Sequence, residues 1–255
     1  MPTPLRFLND KSGATKIVNE LIPREFEIIH SPFFCSGGLE VRLVESGRKV
    51  IGYTHFHQVM DFWNSLLNNP ELLYEASHAI AHHPFMDEKF FYNFQKERAL
   101  YPDEHTRGAI FYVLNRLSKY GTVTYGEYME SKKYLNDVSL SKLKSFRAPD
   151  LHVSYIETND VLKIVENVTE DFLICQPPRY SDGILDHATP SVLERPKINH
   201  EKYFEILKNK SNWINIYEYS PKLSEMYNDY EIIYFNKNWH KTTQEHATEM
   251  VIANV

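Results

Sequence analysis

The sequence predicts an α/β core divided by a helical insert. Toward both ends of the chain, short runs rich in β-branched and aromatic residues alternate with helical patterns. Over residues 27–53 the order is strand, glycine turn, helix, strand, which is a βαβ unit. Residues 59–117, by contrast, read mostly as helix, and a short helix follows at 140–146. The core is therefore expected over residues 1–58 and 147–255, with residues 59–146 as the insert.

Taken in order, Ile17, Val18 and Leu21 recur at helical spacing behind the candidate caps Asn9, Asp10 and Ser12, and Pro23 ends that helix. Glu27, Ile28, Ile29 and His30 form a strand. Pro32 through the Gly37-Gly38 pair is a turn, residues 39–45 a helix and residues 49–53 a second strand. In the insert, Met60, Phe62, Trp63, Leu66 and Leu67 make a helical stripe. Pro70 opens a helix with Leu72, Leu73 and Ala76, and Phe90, Phe91, Phe94 and Leu100 continue the pattern. Residues 107–118 are a further helix, 121–126 a turn and 140–146 a short helix.

After Pro149 the pattern changes again. Residues 151–155 read as a strand and 159–168 as a helix, and the unbroken apolar run of Phe172, Leu173, Ile174 and Cys175 is a buried strand. The turn Gln176-Pro177-Pro178-Arg179-Tyr180 leads into a loop reaching about residue 197, and Asn199 caps a helix over 201–209. A strand over 213–217, a helix over 221–227 and a last strand over 230–235 follow. The tail, 244–255, is expected to be helical or frayed.

Composition bounds the class. With 42% hydrophobic and 24% charged residues among 255, the chain is globular rather than disordered. It has no run of 18 apolar residues, so no transmembrane helix is expected. Residues 1–9 carry no apolar core of a secretory signal, so none is expected there. Two cysteines, Cys35 and Cys175, make neither a disulfide framework nor a four-cysteine zinc site. They read as packing residues in a reducing compartment, cytoplasmic or nuclear. His82 and His83 are adjacent rather than helix-spaced, and no acid or thiol completes a set with His55 and His57, so no metal site is expected. A net charge of −6 weighs against a protein living mainly on phosphate contacts. A local basic cluster of Lys132, Lys133, Lys142, Lys144 and Arg147 lies in the insert, as a solvated face or a DNA-facing one.

Several stretches carry a family resemblance. Pro32-Phe33-Phe34 follows the first strand. Val50-Ile51-Gly52-Tyr53 is followed by Phe62-Trp63, Leu66-Leu67 and Asn69-Pro70-Glu71. Ala109 to Arg116, with Tyr120 and Gly121, forms an Asn-Arg helix and an aromatic-Gly turn. Phe146-Arg147-Ala148-Pro149 precedes a strand, and Trp213-Ile214 is followed by Tyr217 and Pro221. In this order, over about residues 5–240, the chain resembles the Dam-type, class-alpha DNA adenine methyltransferases of the phage and archaeal site-specific branch. The resemblance implies a Rossmann-like methyltransferase fold: a seven-stranded mixed sheet with helices on both faces and S-adenosylmethionine at the carboxyl ends of the strands. It implies methyl transfer to the exocyclic amine of a flipped-out adenine. The helical insert then stands as a target-recognition-like subdomain.

The chemistry-bearing positions depart from the family pattern. The family's N-terminal Phe-x-x-Trp-x-Gly-Gly-Lys reads, without gaps, from Phe7 to Ala14, with Asp10 for the aromatic, Gly13 kept and Ala14 for the lysine. The first cofactor motif, acid-Pro-Phe-x-Gly-x-Gly, reads Ser31-Pro32-Phe33-Phe34-Cys35-Ser36-Gly37, losing the acid and the first glycine. The acid that should hold the ribose hydroxyls after Tyr53 is Thr54, which makes neutral hydrogen bonds only. The next motif's acid matches Glu157. The catalytic Asp/Asn-Pro-Pro-aromatic is Gln176-Pro177-Pro178-Arg179. An aspartate there orients the target amine and stabilises positive charge as the methyl arrives; the neutral Gln176 supplies no charge. Arg179 can stack its guanidinium on a base, and Tyr180 stands one residue late.

Fold-bearing positions are kept while cofactor and catalytic positions change together. The expectation is a degenerate, catalytically inactive homologue that holds no S-adenosylmethionine and serves as a scaffold or as the partner subunit of another protein or of its own copy. A virion component fits the Tyr-, Asn-, Lys- and Ile-rich composition of an AT-rich genome. The alternatives are a DNA-binding module, or an active adenine methyltransferase that binds S-adenosylmethionine and uses Gln176 and Glu157.

Overall fold

The computed structural model describes residues 3–7, 11–124, 126–130, 132–180 and 198–255. Seven strands form one sheet: β1 (Ile28–Ser31), β2 (Lys49–Thr54), β3 (Leu151–Tyr155), β4 (Phe172–Cys175), β5 (Trp213–Glu218), β6 (Glu231–Phe235) and β7 (Glu249–Asn254). Their order is β3-β2-β1-β4-β5-β7-β6. The first five are parallel, and Ile29 of β1 lies opposite both Val50 of β2 and Phe172 of β4. β7 runs antiparallel between β5 and β6. The fold is thus α/β with a mixed sheet, and it is consistent with a Rossmann-like arrangement. The winding reverses between β1 and β4, and a parallel sheet of this kind opens a crevice outside the carboxyl ends of its strands at that point.

Residues 244–255 correct the expected helical or frayed tail. After a short 3-10 turn at Gln244–His246, they form β7, and so 231–235 is not the last strand. Met250, Val251, Ile252 and Ala253 are all buried. A run without alternation marks a strand covered on both faces, the same signal that identified β4. Met250 and Ile252 join one core, Val251 and Ala253 the other.

The two cores lie on opposite faces of the sheet. On one face pack α1 (Thr15–Leu21), α2 (Gly38–Glu45), α3 (His57–Asn68), α4 (Pro70–Ala81), α6 (Glu104–Leu117) and α7 (Asp137–Ser145), with Phe91 of α5 (Glu88–Glu97) at their margin. On the other pack α8 (Val161–Asn167), α9 (His200–Lys208) and α10 (Pro221–Met226). The helices of residues 59–146 share one core with the sheet: Phe62, Trp63, Leu114 and Leu143 belong to the cluster that holds Ile29 and Val50.

Local chemistry sets the helix ends. Asn69 accepts from Leu72 N at 3.1 Å with Pro70 behind it, and Asp103 accepts from Thr106 N at 2.7 Å. Asn199 accepts from Lys202 N at 2.7 Å, as expected of its cap. The cap Asp103 starts α6 three residues ahead of the expected 107, and a capping box at Asn136 and Ser139 starts α7 ahead of the expected 140. At the first helix, Ala14 stands at the cap and makes no side-chain bond, while Asn9 and Asp10 lie outside the described residues.

α6 is the hub. A Cβ on Gly108 would meet Asp61 O at 3.0 Å, so α3 and α6 cross at close range. Buried Asp61 takes a bidentate pair from Arg107, at 2.7 and 3.0 Å. Buried Asn115 accepts from Arg6 N at 2.8 Å and donates to Arg6 O at 2.7 Å and Gly121 O at 2.8 Å, which fastens the N-terminal arm. Gly121 has φ 77°, and a Cβ there would lie 1.9 Å from Arg6 O. The Asn-Arg helix and the aromatic-Gly turn are therefore structural in this chain.

Candidate functional site

The first four strands are parallel, so their carboxyl ends share one edge of the sheet. That edge holds Ser31 at the end of β1 with Pro32 and Phe33 after it, Thr54 at the end of β2, Glu157 just past β3 and Gln176 just past β4. The turn after β1 is pinned to β2 by Phe34 N donating to Tyr53 O at 3.0 Å. Its two phenylalanines part to opposite faces. Phe33 packs edge-on against Tyr203, centroids 5.7 Å apart, and Phe34 against Trp63 at 5.6 Å. Pro32 is buried between them.

Gly37 has φ 70° and leads into α2. A Cβ on it would meet the Trp63 ring at 2.4 Å and Phe34 at 3.0 Å, and one on Gly52 would meet the Phe34 ring at 2.3 Å. Over Gly13 lies the Trp239 indole, 2.0 Å from a Cβ position. At each glycine the space a side chain would need is filled by the protein's own aromatic ring.

At the switch point a carboxylate joins the two strands. Glu40, in the first turn of α2, is 1% exposed. Its Oε1 accepts from Ser31 Oγ at 2.7 Å and from Gln176 Nε2 at 2.8 Å. One oxygen therefore links the end of β1, the start of α2 and the end of β4. The N-terminal turn of a helix favours an acidic group at this position. Sequence reasoning missed Glu40. Its only signal was Ser31, nine residues earlier, standing where the resembled motif carries an acid.

The other expected positions are engaged in different ways. Thr54 is buried, and its hydroxyl accepts from Phe56 N at 3.3 Å. Glu157 is exposed, and its carboxylate adds to burial in raising the Tyr155 phenol above its ordinary range. Pro177 is buried and Pro178 half-buried. Arg179 is exposed and pairs with Glu218 of β5, Nε to Oε2 at 3.1 Å. Tyr180 turns onto α9, its ring 5.2 Å from His200. Phe7 packs, partly buried, against the first core. Beside Glu218 in the register stands Glu249, whose carboxyl burial pushes up; Lys11 pairs with it at 2.6 Å.

The basic cluster is divided. Lys144 pairs with Glu71 at 2.6 Å, and Arg147 donates to Lys144 O at 2.7 Å and Phe146 O at 2.6 Å. Lys133 lies 5.4 Å from the Tyr134 ring centroid, and Lys142 lies exposed on α7. The Lys132 side chain is outside the described residues.

Behind the sheet, burial pushes the Cys175 thiol up to about 12, which keeps it protonated and unreactive at neutral pH. Among the described residues no helix is long and apolar enough to cross a membrane. No protein-family model matches the chain. No curated protein matches it by sequence.

Proposed function

We propose that the chain is a degenerate methyltransferase-like protein that performs no methyl transfer and acts as a scaffold or partner subunit. The observation that carries this reading is the Glu40 carboxylate bound by Ser31 and Gln176 across the switch point. In an active enzyme of the resembled family, the Asp or Asn at the position of Gln176 presents an acceptor oxygen to the target amine. Here its amide is turned as a donor onto an internal carboxylate. The residues present do not fit S-adenosylmethionine. The motif glycines Gly13 and Gly37 are covered by Trp239 and by Trp63 with Phe34, and Thr54 is buried with its hydroxyl engaged. Arg179 is bound to Glu218 rather than presented as a stacking platform.

A second reading rests on the same carboxylate. Glu40 restores, from the neighbouring helix, a negative charge that Ser31 does not supply. If that charge serves a ligand, the cofactor site is rebuilt rather than lost. Calorimetric titration of S-adenosylmethionine into the purified chain separates the two. No heat at millimolar ligand is the expected result. Binding in the micromolar range overturns the non-catalytic reading and calls for a methyl-transfer assay on adenine-containing DNA.

A further inference from the structure

His78 lies in the last turn of α4 and His82, four residues on, is the residue that caps its C-terminus. Their rings stack, with centroids 4.0 Å apart and planes 23° from parallel. The first residue of α7, Asp137, reaches the same place: its Oδ1 is 3.4 Å from His82 Nε2. One ligand atom from each of the three lies within 4.8 Å of the others. The His82 and Asp137 side chains are 50% and 81% exposed, so ions in solution reach them. The adjacency of His82 and His83 hid this set, because the helix pairs His82 with His78 instead.

The geometry suits a cation here. His82 Nδ1 is 3.0 Å from the His78 carbonyl oxygen, which only accepts, so Nδ1 carries a proton. The other ring nitrogen, Nε2, faces the Asp137 carboxylate oxygen. Their 3.4 Å separation is longer than an ordinary N–H···O bond of about 2.7–3.2 Å. It matches the edge of a tetrahedral site, since two ligands about 2.1 Å from zinc stand about 3.4 Å apart. A ring whose other nitrogen donates to a backbone carbonyl is the usual support for a metal-bound histidine.

We propose that His78, His82 and Asp137 bind a zinc-class divalent cation and clamp the end of α4 to the start of α7. Two imidazoles and one carboxylate suit zinc, cobalt or nickel rather than magnesium or calcium, and three protein ligands leave a fourth position for water. The opposite end of the helix pair is already fastened by Lys144 on Glu71 at 2.6 Å. The cation completes a second fastening.

The test is calorimetry of zinc chloride into the chelator-treated full chain, with cobalt as a spectroscopic probe. The expected result is one equivalent bound at micromolar Kd or tighter, with tetrahedral cobalt absorption. At a hundredfold excess over Kd the melting temperature should rise by about 5–10 °C. H78A and H82A should each weaken binding at least a hundredfold, and D137N about tenfold. Zinc bound equally by H82A and the unaltered chain overturns the proposal, as does binding below one equivalent; His82 and Asp137 are then only an imidazolium–carboxylate pair. If a variant fails to fold, the cobalt spectrum of the unaltered chain decides alone: no tetrahedral absorption overturns the site.

Discussion

Removing Glu40 tests whether its carboxylate is a structural tie. Gln176→Ala deletes one charge-assisted hydrogen bond and leaves Ser31 bound, a loss of about 2 kcal/mol. Glu40→Ala leaves the Ser31 hydroxyl and the Gln176 amide without this acceptor in a protein interior, and should cost about 3–5 kcal/mol. The two partners touch at 2.8 Å, so the effects are not additive. The double variant should lose about 1.5–2 kcal/mol less than the sum of the single losses, because both count the same bond. For a chain of 255 residues, Glu40→Ala should lower the melting temperature by roughly 10 °C. The assay is urea unfolding followed by tryptophan fluorescence, with far-UV circular dichroism run alongside to confirm a single coincident transition. A Glu40→Ala chain as stable as the original, or a coupling below about 0.5 kcal/mol, refutes the tie.

Two further predictions follow from the same geometry and from the buried histidine. Gln176→Asp turns a second carboxylate toward Glu40, one methylene short of the amide that now bonds it at 2.8 Å. It should destabilise the fold by about 2–4 kcal/mol at pH 7.5 and less at pH 5, where the pair shares a proton; equal melting at both pH values counts against the geometry. Burial lowers His200 to about 4 from its ordinary 6.5, so between those values the unfolded chain binds more protons than the folded one. Its contribution is present above pH 6.5 and is lost as pH falls toward 4, about 3 kcal/mol in all; urea titrations at pH 4.5–7.5 should show a slope that His200→Asn reduces, and identical slopes contradict it.

Much of the fold was legible in the sequence because its signals are local. The Gly37-Gly38 turn, the proline starts of α4 and α10 and the unbroken apolar run of β4 each act within a few residues. The early starts of α6 and α7 come from caps whose acceptors bond three residues ahead, where apolar periodicity has not begun. The tail was misread for a different reason. Its four apolar residues suit a helix or a strand equally, and only two neighbouring strands decide between them.

The candidate site divides in the same way. The sequence by itself determined which residues stand along the motif order it resembles: Ser31, Cys35, Thr54 and Gln176 are read directly from it. It determined the local elements that bring those positions to one edge. Only the tertiary structure decided what replaced them. Glu40 meets Gln176 across 136 residues of chain, Asn115 holds Arg6 across 109, and Asp137 reaches His82 from another helix. Those pairings are set by how helices pack on the sheet, through burial that no local window contains. A buried carboxylate and an exposed one are the same letter in sequence. They differ only in the water and the partners that the folded chain leaves around them.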